Sequence, residues 1–342
     1  MFEIFKQIFT DISFSGAFLE TVIIIFIGFI FRQKNIIGGE GKALVTTLVW
    51  KLSVPCFAFN AFMQDFDSAN FLGSIKEFGF AVIFYILLIC IGLLIFIHKG
   101  KNTGILCGLF IAIGQTTLFS MPILQSIYSG REGYEQVLLN ISAISIVFRI
   151  FVYIIGFSLI SGQKWDAKSF GESLKRIFLT PIMIGMFLGI AVFLLQTKAP
   201  VLRIDRSLPA LYVTVRALSS ILTPLAMLLI GLTLGESKFA DSFKDVRAWV
   251  IALLRNFAAP VFVLAVCILL HRSGIAYFTE YSLIALVIGF SAPMSVTLSV
   301  MCMQFKNEET LASRACLLST LFTVISLPLM FVLCYWAMRF LN

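Results

Sequence analysis

Charge is scarce in this chain of 342 residues, with Asp, Glu, Lys and Arg together at 13% and histidine present only twice. The two histidines, His98 and His271, have no carboxylate or cysteine at ligand spacing, which excludes a histidine-based metal centre. The seven cysteines all fall in apolar stretches with no CxxC pair, so they read as small packing residues rather than a disulfide or metal framework. No P-loop is present to bind ATP, and Ser120 and Ser291 lack a His or Asp partner that would activate them as nucleophiles. An enzyme is not expected, and neither is a cofactor. Low-complexity runs are also missing.

What is abundant is apolar surface. With 59% hydrophobic residues and a mean hydropathy of +0.99, there is more than a soluble core could hide. Windows of about 20 apolar residues predict an all-α polytopic membrane protein with ten spans: 17–31, 43–62, 78–97, 104–128, 137–160, 177–195, 215–235, 248–270, 282–303 and 315–338. The first lacks a basic leader and a small-residue cleavage site, so it is expected to be retained rather than removed as a signal peptide. Fourteen Lys and Arg follow the odd-numbered spans and eight lie on the other face. The positive-inside rule therefore predicts a multi-pass protein of a bacterial-type plasma membrane with both termini outside. The net charge of +8 needs no nucleic-acid partner to explain it.

Two segments carry the same interruption: Phe119-Ser120-Met121-Pro122 and Phe290-Ser291-Ala292-Pro293, 171 residues apart. A second pair, Val54-Pro55 and Thr223-Pro224, is 169 apart. Matched offsets imply a duplication, and five spans per half make the two halves inverted repeats. The expected organisation is a first repeat over 1–160, a polar cytoplasmic linker over 161–176 and a second repeat over 177–342. Residues 197–216 read as an interfacial amphipathic helix feeding the seventh span.

A proline inside a membrane helix leaves carbonyls unpaired, and lipid tolerates this only where the backbone lines a cavity or finds other partners. Around the two breaks stand Gln115, Thr116, Thr117 and Ser120, then Ser291, Ser295 and Thr297. Half-helices starting there present free N–H groups suited to a carboxylate. Lys51 and Arg216 read as snorkelling near span ends. Arg149 and Arg255 sit deeper, where a charge needs a partner or a cavity; an anion path and a structural pairing are both open for them. Acidic residues, Glu77 among them, fall near span ends, and that asymmetry favours an anionic substrate.

The ordered words Gly28-Phe29-Ile30-Phe31-Arg32-Gln33-Lys34, Leu52-Ser53-Val54-Pro55, Asn102-Thr103-Gly104, Met121-Pro122-Ile123, Tyr128-Ser129-Gly130, Thr223-Pro224-Leu225-Ala226 and Ala292-Pro293 resemble the auxin efflux carrier family, which includes plant PIN proteins and bacterial malate and malonate permeases. The resemblance implies ten helices in a five-plus-five inverted repeat, similar to the bile-acid symporter and sodium/proton antiporter architecture. Helices 1, 2, 6 and 7 would form a scaffold and homodimer interface, and helices 3–5 and 8–10 an elevator-like transport domain. The fourth and ninth helices would cross near Pro122 and Pro293. Gln115 stands where family members often carry Asn, and the polar stretch of the fifth span is represented by Asn140, Ser142 and Ser145, followed by Arg149. The resulting expectation is a secondary carrier of a small organic anion, a mono- or dicarboxylate, coupled to a proton or sodium ion or to neither. Its candidate binding residues are Gln115, Thr116, Ser120, Pro122, Ser291, Pro293, Asn140, Arg149 and Arg255. A sodium-coupled symporter of larger amphipathic anions such as bile acids, and a receptor that binds without moving its ligand, remain as alternatives.

Overall fold

The computed structural model describes residues 12–60, 62–63, 68–162, 179–196, 198–235 and 243–338. Among these the regular secondary structure is helical, apart from one isolated antiparallel bridge. The helices are α1 (Ile12–Gln33), α2 (Gly39–Asn60), α3 (Ser68–Phe96), α4 (Lys101–Ala112), α5 (a π-helical turn Thr116–Ser120 running into Met121–Tyr128), α6 (Tyr134–Ser161), α7 (Pro181–Leu195), α8 (Pro209–Gly235), α9 (Val246–Arg272), α10 (Glu280–Phe290), α11 (Val296–Phe305) and α12 (Glu309–Met338).

Among the described residues six stretches are long and apolar enough to cross a membrane: α2, Leu72–Lys99 (most of α3 with the turn that follows it), α6, α8, α9 and α12. The part of α1 from Val22 to Gln33, together with α4, α7 and α10, is apolar but shorter. The sequence windows around residues 104–128 and 282–303 merged two half-helices each, because hydropathy does not register a backbone break. Most of the expected linker over 161–176 lies outside the described residues.

Prolines shape the helices in a repeated way. The π-helical turns Val49–Ser53, Thr116–Ser120 and Leu254–Ala258 each end two residues before a proline: Pro55, Pro122 and Pro260. A proline cannot donate to the carbonyl four residues back and its ring displaces that carbonyl, so the preceding turn widens. The helix continues through each of these prolines. In α8 the regular helix is interrupted at Ile221, three residues before Pro224.

The helices sort into two sets by contact. In the first, α1 lies along α8, and α2 packs on α7 and α8. Glycines permit these approaches: a Cβ on Gly28 would meet the Leu228 carbonyl, and one on Gly185 the Pro55 carbonyl, each at 2.5 Å. In the second, α3 packs on α4 and α6, α10 on α6 and α9, and α12 on α9 and α11. The sets meet through α5, which lies against α1 and α8.

Two local expectations change. Over 197–216 the described chain forms two short turns, Pro200–Leu202 and Ile204–Ser207, before α8 starts at Pro209; Pro200 and Pro209 prevent one continuous amphipathic helix. Arg203 is buried there, donating to Gln196 and pairing with Asp205 at 2.6 Å, and this holds the Asp205 carboxyl below the usual carboxylate range. Glu77, expected near a span end, sits inside α3 because that helix starts at Ser68, ten residues before the apolar window. It is buried and accepts a hydrogen bond from Ser282 of α10.

Candidate functional site

The two half-helix pairs meet where α4 and α10 both stop. Gly114 and Met294 form the antiparallel bridge. The Gln115 N–H donates to the Pro293 carbonyl at 2.7 Å, and the Ser295 N–H donates to the Ile113 carbonyl at 3.1 Å. Backbone groups freed by the breaks thus satisfy one another, which is required at membrane depth. The Ser295 hydroxyl then donates to Gln115 Oε1 at 3.1 Å, across 180 residues of sequence.

That separation corrects the expected crossing. The paired residues are 180 apart, whereas Pro122 and Pro293 are 171 apart. Pro293 lies in the crossing, while Pro122 lies inside α5, seven residues beyond Gln115. The shared FSxP words are therefore not structurally equivalent. The Pro122 carbonyl instead faces α8, with Thr223 Oγ1 3.5 Å away.

Arg255 is fully buried and clamps the crossing. Its Nη1 donates to the carbonyls of Ile111 (2.9 Å) and Ala112 (2.7 Å), and its Nε to that of Ala292 (2.9 Å). These carbonyls belong to the ends of α4 and to the break after α10, where unpaired acceptors and the negative pole of each helix dipole favour a cation. Gly114 leaves the space: a Cβ there would collide with the guanidinium. The neighbouring Asn256 organises the far side. Its Oδ1 accepts from Ser319 Oγ at 2.6 Å, and that oxygen accepts the Met294 N–H at 2.9 Å.

The hydroxyls of the candidate set are used in fixing helices. Ser120 Oγ donates to the Ile288 carbonyl (2.7 Å), Thr116 Oγ1 to that of Gly289 (3.3 Å) and Ser291 Oγ to that of Val287 (2.6 Å). Asn140 is elsewhere, its Oδ1 accepting from Ser74 and Gln136 at 2.9 Å each. Arg149 lies under Trp50 of α2, its guanidinium carbon 5.2 Å from the ring centroid. Lys51 and Arg216 are exposed on α2 and α8.

A cavity of about 550 Å³ opens beside the crossing. Gln115 and Pro293 are the members of the candidate set that line it. The remaining wall comes from both helix sets: Lys42, Thr46 and Trp50 of α2 and Leu229 to Leu234 of α8 on one side, Val296 to Met303 of α11 and Ser313 to Thr320 of α12 on the other. Among the lining residues Lys42 carries a charge, and there is no carboxylate. The first turn of α11 borders the space, with its N-terminal amides at the positive end of that helix. From the sequence Lys42 reads as one of the basic residues beyond a span end and Trp50 as an apolar residue within a span, so neither stands out as a binding residue. Among the described residues no cluster of His, Cys, Asp or Glu could hold a metal ion.

Apolar helices of membrane-crossing length, broken partners that meet at their breaks, and a cavity beside that junction define a membrane transport protein. A family model described as membrane transport protein matches residues 13–331. The chain belongs to that family, the auxin efflux carrier family. No curated protein matches the chain in sequence comparison.

Proposed function

We propose that the protein is a secondary carrier of a small organic anion, a mono- or dicarboxylate, with ten spans in two inverted halves. The observation that carries this reading is the cavity: it borders the crossing, both helix sets line it, and its wall has the Lys42 cation and no carboxylate. Gln115, with the amides at the start of α11, would receive the carboxylate. Arg255, Thr116, Ser120 and Ser291 hold the crossing in shape.

The two halves differ in a way that supports alternating access. α5 fills the space against α1 and α8, whereas α11 has its main contacts on α6 and α12, and the cavity occupies its side facing α2 and α8. Exchanging these arrangements would move the opening to the other face, with α3–α6 and α9–α12 travelling against a dimeric scaffold of α1, α2, α7 and α8. The basic-loop asymmetry supports a cytoplasmic position for the Lys42 end of the cavity.

Purified protein in liposomes should take up labelled mono- or dicarboxylates, and imposing proton and sodium gradients in turn reads the coupling ion. Saturable binding without flux would replace the carrier reading with a receptor.

A further inference from the structure

Arg149 is the buried cation that the fold leaves unspent. It is 2% exposed in the interior of α6, and its Nε and Nη2 have no hydrogen-bond partner. Arg255 at similar burial has three carbonyls to hold, whereas what covers Arg149 is the indole of Trp50. The indole belongs to α2 of the first helix set and Arg149 to the second, and Trp50 is also one of the residues that line the cavity. One aromatic residue therefore adjoins both a guanidinium with two unbonded nitrogens and the space where an anion would enter. A cation–π contact compensates only part of the cost of a buried charge.

We propose that Arg149 is an occluded anion subsite, capped by Trp50, that takes the substrate's carboxylate once the indole moves aside. This rests on the carrier reading and adds to it the group that reads the charge. A carboxylate offers two acceptors to a guanidinium in planar, bidentate geometry, so it displaces a ring that offers only its π face. Because the ring and the cation lie on different helix sets, the exchange also releases one contact that holds the sets in register. Anion binding and the relative movement of the sets thereby become one event.

The test uses the full chain with Trp165, Trp249 and Trp336 replaced by Phe, so that emission reports Trp50 alone. Acetate, malonate and benzoate are titrated against acetamide, malonamide and benzamide, with liposome flux measured on the same preparations. A saturable emission change with at least one carboxylate but not its amide is expected; it should vanish in Arg149→Gln and survive, weakened, in Arg149→Lys. Should Arg149→Gln fail to fold, Trp50→Ala supplies the second arm: removing the cap should lower the half-saturating carboxylate concentration about fivefold to thirtyfold. Carboxylate flux with a silent Trp50 and an unaltered Trp50→Ala overturns the subsite and leaves the carrier reading standing. An Arg149-dependent response without flux supports the subsite and removes the carrier reading. No response to any carboxylate and no flux removes both.

Discussion

The Arg255 guanidinium donates to the Ala112 carbonyl at 2.7 Å, joining the middle of α9 to the last residue of α4. With Ile111 and Ala292 as further acceptors, this single side chain closes the ends of two helices that stop inside the protein. Its role is to make the crossing possible.

Arg255→Gln should therefore destabilise the protein. Up to three buried carbonyls lose a charged donor, and each orphaned group costs about 1–3 kcal/mol. The measurement is thermal unfolding in detergent alongside flux per folded molecule: a clear drop in Tm with near-parental flux in the surviving fraction is expected. Unchanged Tm with lost carboxylate transport would instead make Arg255 part of the anion path.

Gly114→Ala probes the same junction from the other side. The new methyl group would occupy the position of the guanidinium, so the arginine must leave its carbonyls or the crossing must open. Expression and Tm should fall as far as in Arg255→Gln. The double variant should be little worse than either single one, since both break one unit.

The contrast between Arg255 and Arg149 marks where the sequence stopped being informative. Both were legible as buried cations, but composition and spacing cannot say which finds acceptors, since the carbonyls of Arg255 come from residues about 40 and 140 positions away. The membrane class followed directly from hydropathy, and the existence of a break from the polar cluster before Pro122. Its position did not: Pro122 widens the turn before it without ending the helix, and the break falls at Ile113–Gln115, which contains no proline. Ser295 and Gln115 both stand out in the sequence beside the breaks, yet only the fold brings them together. Trp50 gave no signal at all, because an aromatic residue in an apolar span is the commonest kind of packing residue.

The prolines should consequently behave differently. Pro293 sits in the extended segment and presents its carbonyl to Gln115; Pro293→Ala loosens that backbone and should reduce flux strongly with Tm nearly retained. Pro122→Ala restores an N–H inside an existing helix and lets the π turn Thr116–Ser120 tighten. Its effect on flux should be smaller, and near-parental helicity by circular dichroism is expected. Equal, strong losses of flux in both would place Pro122 at the site after all.

Outside the membrane helices, Asp205 gives a pH signature. Arg203 holds its carboxyl below the ordinary range, so the pair stabilises the fold above the unfolded Asp value of about 3.9 and that contribution is lost as pH falls through the depressed folded value. Asp205→Asn should lower stability at neutral pH and flatten the acid limb of a Tm-against-pH curve. An identical acid limb in the variant would assign the acid sensitivity to other groups.

Orientation is tested by labelling. In a cysteine-free background, Lys99→Cys and Ser273→Cys place single thiols at exposed positions beyond α3 and within the turn that follows α9. The basic asymmetry puts the first inside and the second outside, so a membrane-impermeant maleimide should label only Ser273→Cys in intact cells. Labelling of Lys99→Cys alone would invert the protein and put the Lys42 end of the cavity outside.

Gln115 carries the last prediction, because it joins the crossing to the cavity. Its backbone N–H and side-chain oxygen tie it to Pro293 and Ser295, and it lines the space. Gln115→Ala leaves the backbone bond intact and deletes the amide, so Tm should change little. A side-chain hydrogen bond to a charged ligand contributes about 1.5–3 kcal/mol, which corresponds to an affinity loss of roughly tenfold to over a hundredfold. Gln115→Asn shortens the reach by one methylene and should fall between the two. If the half-saturating carboxylate concentration in Gln115→Ala equals the parent's, the carboxylate is held elsewhere in the cavity, and the crossing supports the site without touching the substrate.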